Sequence, residues 1–455
     1  GEVPLDAKPA WLTGTVTVKE CNHTGGLVPS ENGYQHGGPC KCCGSPLDTA
    51  NHTLGADNQC SGCGAELVAK VEKSNSGGTE YMTAKGLNTV FAYNSGYEDA
   101  TVTLLDDLTN TDYENLPKID IRCTLNLNGH TIRSDLSSVP TLEVIANGNV
   151  TIAGSGEIVS NSDAALYVVG TAVLEGGTFC SGGTYHGAVE VLSSLSGNLS
   201  VTGENVVMEN TGSGYGLLIY SLKSVKLSAG KYSGAAGAIS VSTDAFTLSS
   251  LLNQEGTSRV AYYKDNTTLV TEGLDGQTLP SGSYTVKACT HAYQYTHTTG
   301  ATTHSQTCPA CGDAKAAETC SYDAATGRCA CGSTLAVTLP ADLALTYDGT
   351  AKTPDVTVTV DGTELAAEKY QINYDNNINA GNTAKVTVTA ANGSFSGSAS
   401  TTFSISKASL TIKANDQAIT YGGSIAQGTG QTTVTGLCTG DILSGITLTA
   451  STGEV

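Results

Sequence analysis

The sequence predicts an all-β protein in which a parallel β-helix is flanked by two small Cys/His metal-binding modules and followed by β-sandwich-like repeats. Three observations support this prediction. Apolar residues fall in short runs between turn-forming residues, only 14% of the chain is charged, and 54 of the 455 residues are Gly, a pattern that favours strands and turns over helices. Twelve of the 15 Cys lie in two local clusters. Between those clusters, short β runs recur with a period in the twenties.

The length of the chain indicates more than one domain, because a single hydrophobic core rarely grows beyond roughly 250–300 residues. We expect six segments. They are a lead segment at 1–20, a first metal-binding module at 21–69, the β-helix at 70–288, a second metal-binding module at 289–334, a β-sandwich-like module at 335–408, and a second such module, cut short, at 409–455.

Net charge and hydropathy exclude two kinds of partner. The formal charge is −20 with only 22 Lys and Arg, whereas a groove that binds nucleic acid needs clustered basic side chains. No apolar run approaches the roughly 20 residues that span a bilayer, so we expect no membrane insertion in this part of the chain.

A comparison of the chain with itself at an offset of 268 reveals two copies of one module. Between Cys21 and Gly64, nine of 44 aligned positions are identical, and six of those nine are Cys or His. Packing residues have therefore diverged while the side chains that bind soft metal ions have persisted. The candidate ligands are Cys21, His23, His36, Cys40, Cys43, His52, Cys60 and Cys63 in the first copy, and Cys289, His291, His304, Cys308, Cys311, Cys320, Cys329 and Cys331 in the second.

The ligand types predict zinc rather than disulfide bonds. His52 in the first copy aligns with Cys320 in the second, and these two residues are interchangeable as zinc ligands but not as disulfide partners. Eight ligands per copy suffice for two closed, structural sites, so we expect two to four zinc ions in modules that resemble zinc ribbons. One division gives Cys40, Cys43, Cys60 and Cys63 to one ion and Cys21, His23, His36 and His52 to the other; an interleaved division fits equally well.

The β-helix prediction depends on equivalent apolar starts in successive coils. Leu142, Leu166, Val189, Leu217 and Ile239 each begin such a run, 22 to 28 residues apart. Each coil of a β-helix buries its inward face only by stacking on its neighbours. The segments from Cys123 to Ile132 and from Val173 to Phe179 resemble rungs of pectate-lyase-like β-helices, and this resemblance implies a right-handed helix without carrying a catalytic signature.

Three residues in one coil register are candidates for catalysis. Glu143, Tyr167 and Glu190 each follow the first apolar residue of a run, so they should point the same way from three successive coils. Two carboxylates separated by about 9–10 Å would lie at the upper limit of the spacing in inverting glycosidases. No Lys or Arg occurs between Ser134 and Leu222, which disfavours lyase chemistry on uronic acids but leaves hydrolysis of a neutral glycan open.

The last 120 residues contain a repeat with an offset of 74, which places the segment Leu345–Gly349 over Ile419–Gly423. Alternating β-branched residues and the turn at Asp361-Gly362 predict antiparallel hairpins. Together with Tyr370–Tyr374 and Thr402–Lys407, these motifs resemble the immunoglobulin-like MBG or YDG repeats of bacterial surface proteins, a family whose repeats are expected to act as spacers.

These observations favour an extracellular protein, attached to the cell surface in its full-length form, that is adhesin-like and contacts host or microbial glycans through its β-helix. We expect it to be a monomer. The alternative is a glycoside hydrolase that acts on neutral glycans along one face of the β-helix. A carboxylate pair in one groove would favour the hydrolase, whereas an outer face of scattered Thr, Ser and Asn would favour the adhesin-like protein.

Overall fold

The computed structural model describes residues 28–29, 35–39, 46–75, 77–112, 116–192, 197–255 and 259–450. The chain divides into two compact units, which we call the N-terminal unit (1–292 with 309–311) and the C-terminal unit (293–308 with 312–455). None of the helices in the described ranges has the length and apolar character needed to cross a membrane. Nearly all regular structure is β, as the sequence predicts.

In the described residues, the first elements of the N-terminal unit are a small antiparallel sheet, an antiparallel strand pair and a short helix. Helix α1 begins after Thr83, whose hydroxyl accepts a hydrogen bond from Gly86 N–H at 3.2 Å, as an N-cap should. The elements are β1 (Val28–Pro29), β2 (Gln35–Pro39), β3 (Pro46–Asn51), β4 (Ala69–Glu72), β5 (Thr79–Met82) and α1 (Ala84–Phe91).

The described residues then form six coils of three strands each, stacked into three parallel sheets. This confirms the predicted β-helix. The coil strands are β6 (Ala100–Leu104), β7 (Leu108–Asn110), β8 (Lys118–Ile119), β9 (Arg122–Asn126), β10 (Thr131–Ser134), β11 (Leu142–Val144), β12 (Asn149–Ala153), β13 (Glu157–Ser160), β14 (Leu166–Val168), β15 (Thr171–Leu174), β16 (Thr178–Ser181), β17 (Gly187–Val191), β18 (Asn198–Val201), β19 (Val207–Asn210), β20 (Tyr215–Ile219), β21 (Val225–Leu227), β22 (Gly230–Gly234) and β23 (Gly237–Val241).

The predicted coil register is confirmed in the sheet formed by β8, β11, β14, β17, β20 and β23. Leu142 pairs with Leu166, Leu166 with Val189, Val189 with Leu217, and Leu217 with Ile239. All five side chains are fully buried and form one apolar row along the axis of the β-helix. Because residue i+1 of a strand points to the opposite face, this row fixes which side chains point outward.

Both ends of the β-helix are covered by antiparallel strands. At the first coil, β4 pairs with β6 and with β5. At the last coil, β27 pairs with β22, and β26 pairs with β23, so these edges are not left free for another chain. The covering elements at the last coil are α2 (Leu248–Leu251), β24 (Val260–Lys264), β25 (Thr268–Leu269), β26 (Thr278–Leu279) and β27 (Gly282–Ala288).

The C-terminal unit contains several small sheets, two of which share one apolar core. The hairpin predicted at Asp361-Gly362 is present, because both residues adopt positive φ (49° and 79°) between two paired strands. The strands are β28 (Gln294–His297), β29 (Thr303–Thr307), β30 (Glu318–Thr319), β31 (Ser321–Tyr322), β32 (Leu335–Thr338), β33 (Thr357–Val360), β34 (Thr363–Glu364), β35 (Tyr370–Asp375), β36 (Gly381–Ala390), β37 (Ser396–Ile405), β38 (Thr411–Ala414) and β39 (Thr432–Thr435).

Candidate metal centres and a carboxylate–histidine cluster

Three groups of four Cys and His side chains converge in the described residues. In each group, the ligand atoms all lie within 4.8 Å of one another, so each group can hold a metal ion. We call them centre A (His36, His52, Cys60 and Cys63), centre B (Cys289, His291, Cys308 and Cys311) and centre C (His304, Cys320, Cys329 and Cys331).

The ligand pairing is interleaved along the chain. In the second copy of the module, the first, second, fourth and fifth ligands along the chain form centre B, and the third, sixth, seventh and eighth form centre C. In the first copy, His36 and His52 join Cys60 and Cys63. The groups that the structure describes therefore agree with an interleaved division, whereas the division that joins Cys60 and Cys63 to Cys40 and Cys43 depends on residues outside the described ranges.

The remaining predicted ligands of the first copy, Cys21, His23, Cys40 and Cys43, lie outside the described residues. At the offset of 268 they correspond to the four ligands of centre B. The sequence repeat thus extends the interleaved pairing to these four residues as a prediction.

A glycine closes the Cys turn of each centre. Gly64, Gly312 and Gly332 have φ between 68° and 90°, a conformation in which a side chain would be strained. Each donates its N–H to the carbonyl of the first Cys of the turn, at 2.8 to 2.9 Å. This turn directs two thiols to the same side of the chain, which explains why Gly persists after both Cys pairs of the second copy.

Gly62 shows why a small residue is needed inside the turn of centre A. A Cβ at this position would lie 2.6 Å from Cε1 of His36, closer than packed carbon atoms approach. The imidazole therefore packs directly against the backbone of the Cys60–Cys63 turn, where its Nδ1 is 3.2 Å from Cys60 Sγ.

The spacing of the ligand atoms is that of coordination rather than covalent bonding. In centre C, Cys320 Sγ is 3.8 Å from Cys331 Sγ and 3.5 Å from His304 Nδ1, and Cys329 Sγ is 3.7 Å from His304 Nδ1. A disulfide requires sulfur atoms about 2.05 Å apart. None of the described Cys residues in the three centres forms a disulfide bond.

Ionisation of the buried thiols of centre C is costly unless a cation lies between them. Burial raises the pKa of Cys320 to about 12, and the neighbouring thiols of Cys329 and Cys331 add to the increase. Several such thiolates can coexist at neutral pH only if a positive charge offsets their repulsion. A bound divalent cation provides that charge and deprotonates the thiols that coordinate it.

The candidate catalytic residues lie in the predicted register. Glu143 pairs with Tyr167, and Tyr167 pairs with Glu190, in adjacent parallel strands. The environments of the two glutamates differ. Glu143 Oε2 lies 3.4 Å from Lys118 Nζ and its side chain is 24% exposed, whereas Glu190 is only 4% exposed.

Glu190 belongs to what we call the carboxylate–histidine cluster, formed by Asp163, His186 and Glu190. Nδ1 of His186 lies 3.0 Å from Glu190 Oε1 and 3.5 Å from Asp163 Oδ1, and both carboxylates are more than nine-tenths buried. Backbone N–H groups fix their orientation: Gly187 donates to Glu190 Oε1 at 2.9 Å and Ala164 donates to Asp163 Oδ1 at 2.6 Å. Burial raises the pKa of Glu190, although Gly187 and His186 oppose the increase.

Two tyrosines, Tyr167 and Tyr220, interact with the charges of this cluster, and a third, Tyr185, adjoins it in the sequence. Burial, the charge of Glu190 and a hydrogen bond to Asp163 all raise the pKa of Tyr167. Burial and Glu190 likewise raise the pKa of Tyr220, whose side chain is 38% exposed. Tyr185, which precedes His186, is 82% exposed. The cluster thus combines buried, oriented carboxylates with exposed aromatic rings.

Asp163 and His186 are not among the catalytic candidates selected from the sequence, which are Glu143, Tyr167 and Glu190. One signal could have identified them. Asp163 lies 23 residues before His186, which is one coil, so the two should occupy neighbouring corners. His186 also lies four residues before Glu190.

Comparison with models of protein families finds no matching family. Comparisons with curated proteins and with solved structures find no match either.

Proposed function

We propose that this chain is part of an extracellular, cell-surface protein in which structural zinc ions stabilise Cys/His modules, a β-helix contacts glycans, and immunoglobulin-like repeats of the MBG type act as a spacer. The tyrosine-lined carboxylate–histidine cluster is the observation that carries the glycan-binding part of this proposal. The three metal centres support the zinc part.

Zinc is favoured by the ligand set and by the spacing of the ligands. Tetrahedral Zn²⁺ with bonds of about 2.3 Å to sulfur and about 2.0–2.1 Å to nitrogen separates its ligand atoms by roughly 3.5–3.8 Å. In centre C, the separations of Cys320 Sγ from His304 Nδ1 and from Cys331 Sγ, and of Cys329 Sγ from His304 Nδ1, lie between 3.5 and 3.8 Å. In centre A, Cys63 Sγ lies 3.6 Å from His52 Nδ1. Four protein ligands leave no open position, so these sites are structural rather than catalytic.

Glycan contact is favoured by the chemistry around Glu190. Sugar rings present C–H faces that pack on aromatic rings and hydroxyl groups that donate to carboxylates. Tyr185 and Tyr220 offer exposed rings, and Asp163 and Glu190 offer acceptors whose orientation is fixed. No Lys or Arg occurs between Ser134 and Leu222, so a neutral sugar fits this surface better than an anionic one.

A glycan array probed with the whole chain tests this proposal. We expect binding to neutral glycans, with a loss of at least about tenfold in affinity for Tyr185→Ala and Tyr220→Ala, corresponding to about 1.4 kcal/mol. The matched control is Tyr93→Ala, which removes another exposed tyrosine, 62% exposed and outside the cluster. Absence of binding to any glycan, or an equal loss in the control, would contradict the proposal.

A glycoside hydrolase is a second candidate, favoured by one observation. Asp163 and Glu190 both approach the same nitrogen of His186 at 3.5 and 3.0 Å, so these two oxygens are at most about 6.5 Å apart, a limit that includes the roughly 5–5.5 Å spacing of retaining pairs. In a retaining reaction, one carboxylate attacks the anomeric carbon while the other carboxylic acid protonates the leaving oxygen. Water then cleaves the glycosyl–enzyme bond.

Product release from the glycans that bind separates the two candidates. A hydrolase at the carboxylate–histidine cluster loses turnover in Asp163→Asn and Glu190→Gln but keeps it in Glu143→Gln. The pair selected from the sequence instead requires that both Glu143→Gln and Glu190→Gln abolish turnover. Binding without product release by the unaltered protein supports the adhesin-like function.

A further inference from the structure

Centre C lies in the hydrophobic core of the C-terminal unit. Cys320 is fully buried and Cys329 is 6% exposed, and both belong to the same core as Val358, Val386 and Phe395. Cys331 packs against that core. The ligands of this centre therefore also serve as core residues of the β-sheets that follow them in the chain.

The segment after Cys320 adds a strand to one of these sheets. Strand β31 (Ser321–Tyr322) pairs in parallel with the start of β37, and Ser396 N–H donates to the carbonyl of Cys320 at 2.9 Å. Strands β31 and β37 can approach this closely because residue 397 is Gly, since a Cβ at this position would lie 1.8 Å from the carbonyl oxygen of Tyr322. The backbone of a predicted metal ligand is thus hydrogen-bonded into the sheet formed by β35, β36 and β37.

Side chains next to the Cys turn make a second connection. Ser333, which is fully buried, donates its hydroxyl to Asp361 Oδ2 at 3.1 Å, and Thr334 N–H donates to Asp361 Oδ1 at 2.8 Å. Asp361 occupies the turn between β33 and β34. Both sheets of the unit are consequently joined to residues that lie within three positions of a ligand of centre C.

We propose that metal binding at centre C is required for residues 335–405 to fold, so that this β module is a metal-dependent domain rather than an independent repeat. The inference rests on the zinc occupancy proposed above. Without the ion, three thiols and an imidazole in one small core have no partner that satisfies all of them, and the free energy of metal binding becomes part of the free energy of folding.

The first copy of the module provides the matched control. Cys60 aligns with Cys329 and is buried to a similar extent, yet it does not belong to the core of the β-helix. His52 aligns with Cys320 and shows that imidazole is accepted as a ligand at this position. Loss of a ligand of centre A should therefore remove one ion without unfolding a large domain.

Hydrogen exchange of the whole chain, combined with elemental analysis, tests the inference. We expect Cys320→Ser to lose one zinc ion and to accelerate amide exchange in β36 and β37 by at least roughly a hundredfold. Cys320→His, which restores a zinc ligand, should retain the ion and most of the protection. His52→Ser should lose one ion while exchange in β36, β37 and the β-helix stays unchanged.

The outcomes separate this inference from the proposal on which it rests. If the unaltered protein carries no transition metal, the zinc proposal fails. If Cys320→Ser loses an ion but exchange in β36 and β37 stays slow, zinc is confirmed and the folding inference is overturned. If Cys320→His keeps the ion but exchanges as fast as Cys320→Ser, packing of the thiol rather than coordination stabilises the module, and the inference is again overturned.

Discussion

The two copies of the metal-binding module carry equivalent ligands but differ in what their ligands pack against. Cys60 of centre A is buried beside a β-helix whose core, among the described residues, begins at Val68. Cys329 of centre C is buried inside the core of the C-terminal unit. The repeated ligand pattern thus gives the same local Cys turn in both copies, whereas the neighbouring sequence determines whether the ligands are packed into a larger core.

We expect the β-helix to fold without its neighbouring metal centre, because its coils supply their own core. Rows of fully buried aliphatic side chains such as Leu142, Leu166 and Val189 repeat through the described coils. Each additional coil extends these rows by nearest-neighbour stacking. The C-terminal unit has a much smaller core, and three Cys of centre C lie in it or pack against it.

Removal of metal should give the largest difference in stability between the C-terminal unit and the β-helix. We expect a chelator to abolish the melting transition of residues 335–405, since metal binding is part of the free energy of their folding and an ion bound at a thousandfold excess over its Kd contributes about 4 kcal/mol. The transition of the β-helix should move by no more than about 2 °C. Differential scanning calorimetry before and after chelation measures both, and equal shifts would show that the two copies play the same role.

Tyr322 allows the two copies of the metal-binding module to be compared at a single side chain. It is 2% exposed, its ring packs edge-on against Phe395 with centroids 5.6 Å apart, and its hydroxyl lies 3.2 Å from Ser333 Oγ. Tyr322→Ala should lower the free energy of unfolding of the C-terminal unit by about 3–5 kcal/mol, as for other buried aromatic residues. Chemical denaturation measures this change.

The aligned residue in the first copy is Leu54, which is 36% exposed. Leu54→Ala should therefore change the stability of the N-terminal unit by less than about 1 kcal/mol. A comparable loss in both variants would mean that the first copy also anchors its neighbouring domain, and the contrast between the copies would fail.

The sequence predicted the features that repeat and missed those that depend on distant contacts. The register of Leu142, Leu166 and Val189 follows from coil spacing alone, and the ligand list follows from a fixed offset. The pairing of Tyr322 with Gly397 joins residues far apart in the chain, and no local pattern distinguishes Tyr322 from Leu54. Both divisions of the ligands used the same list, so only the fold could select the interleaved one.

Substitution of Asp361 tests the hydrogen bonds by which Ser333 and Thr334, next to centre C, are joined to the β module. Partial burial opposes its ionisation, but hydrogen bonds from Thr334 N–H and Ser333 outweigh this effect and hold the pKa of Asp361 below its usual value. An amide accepts these hydrogen bonds less strongly, so Asp361→Asn should destabilise the C-terminal unit by about 1–3 kcal/mol at neutral pH. Asp355→Asn, at an exposed position, is the control and should have no measurable effect.

The smallest expected effect is a gain in stability rather than a loss, and it concerns Glu190 in the β-helix. Burial raises the pKa of Glu190 above its value in the unfolded chain, so the folded state binds more protons than the unfolded state between the two pKa values. The cost of the buried charge is therefore fully present above the folded pKa and declines as the pH falls through it. Glu190→Gln removes this cost at neutral pH.

We accordingly expect Glu190→Gln to raise the melting temperature of the β-helix at pH 7 by about 2–4 °C, equivalent to about 1 kcal/mol in a unit of this size, and by less at pH 5. Glu143→Gln is the matched control, because Glu143 is partly exposed beside Lys118 and such pairs contribute little. A lower melting temperature for Glu190→Gln at pH 7 would mean that the hydrogen bonds from His186 and Gly187 outweigh the cost of burial. A gain in stability together with a loss of glycan binding would instead identify Glu190 as a residue kept for function at the expense of stability, which a β-helix with a large core can tolerate.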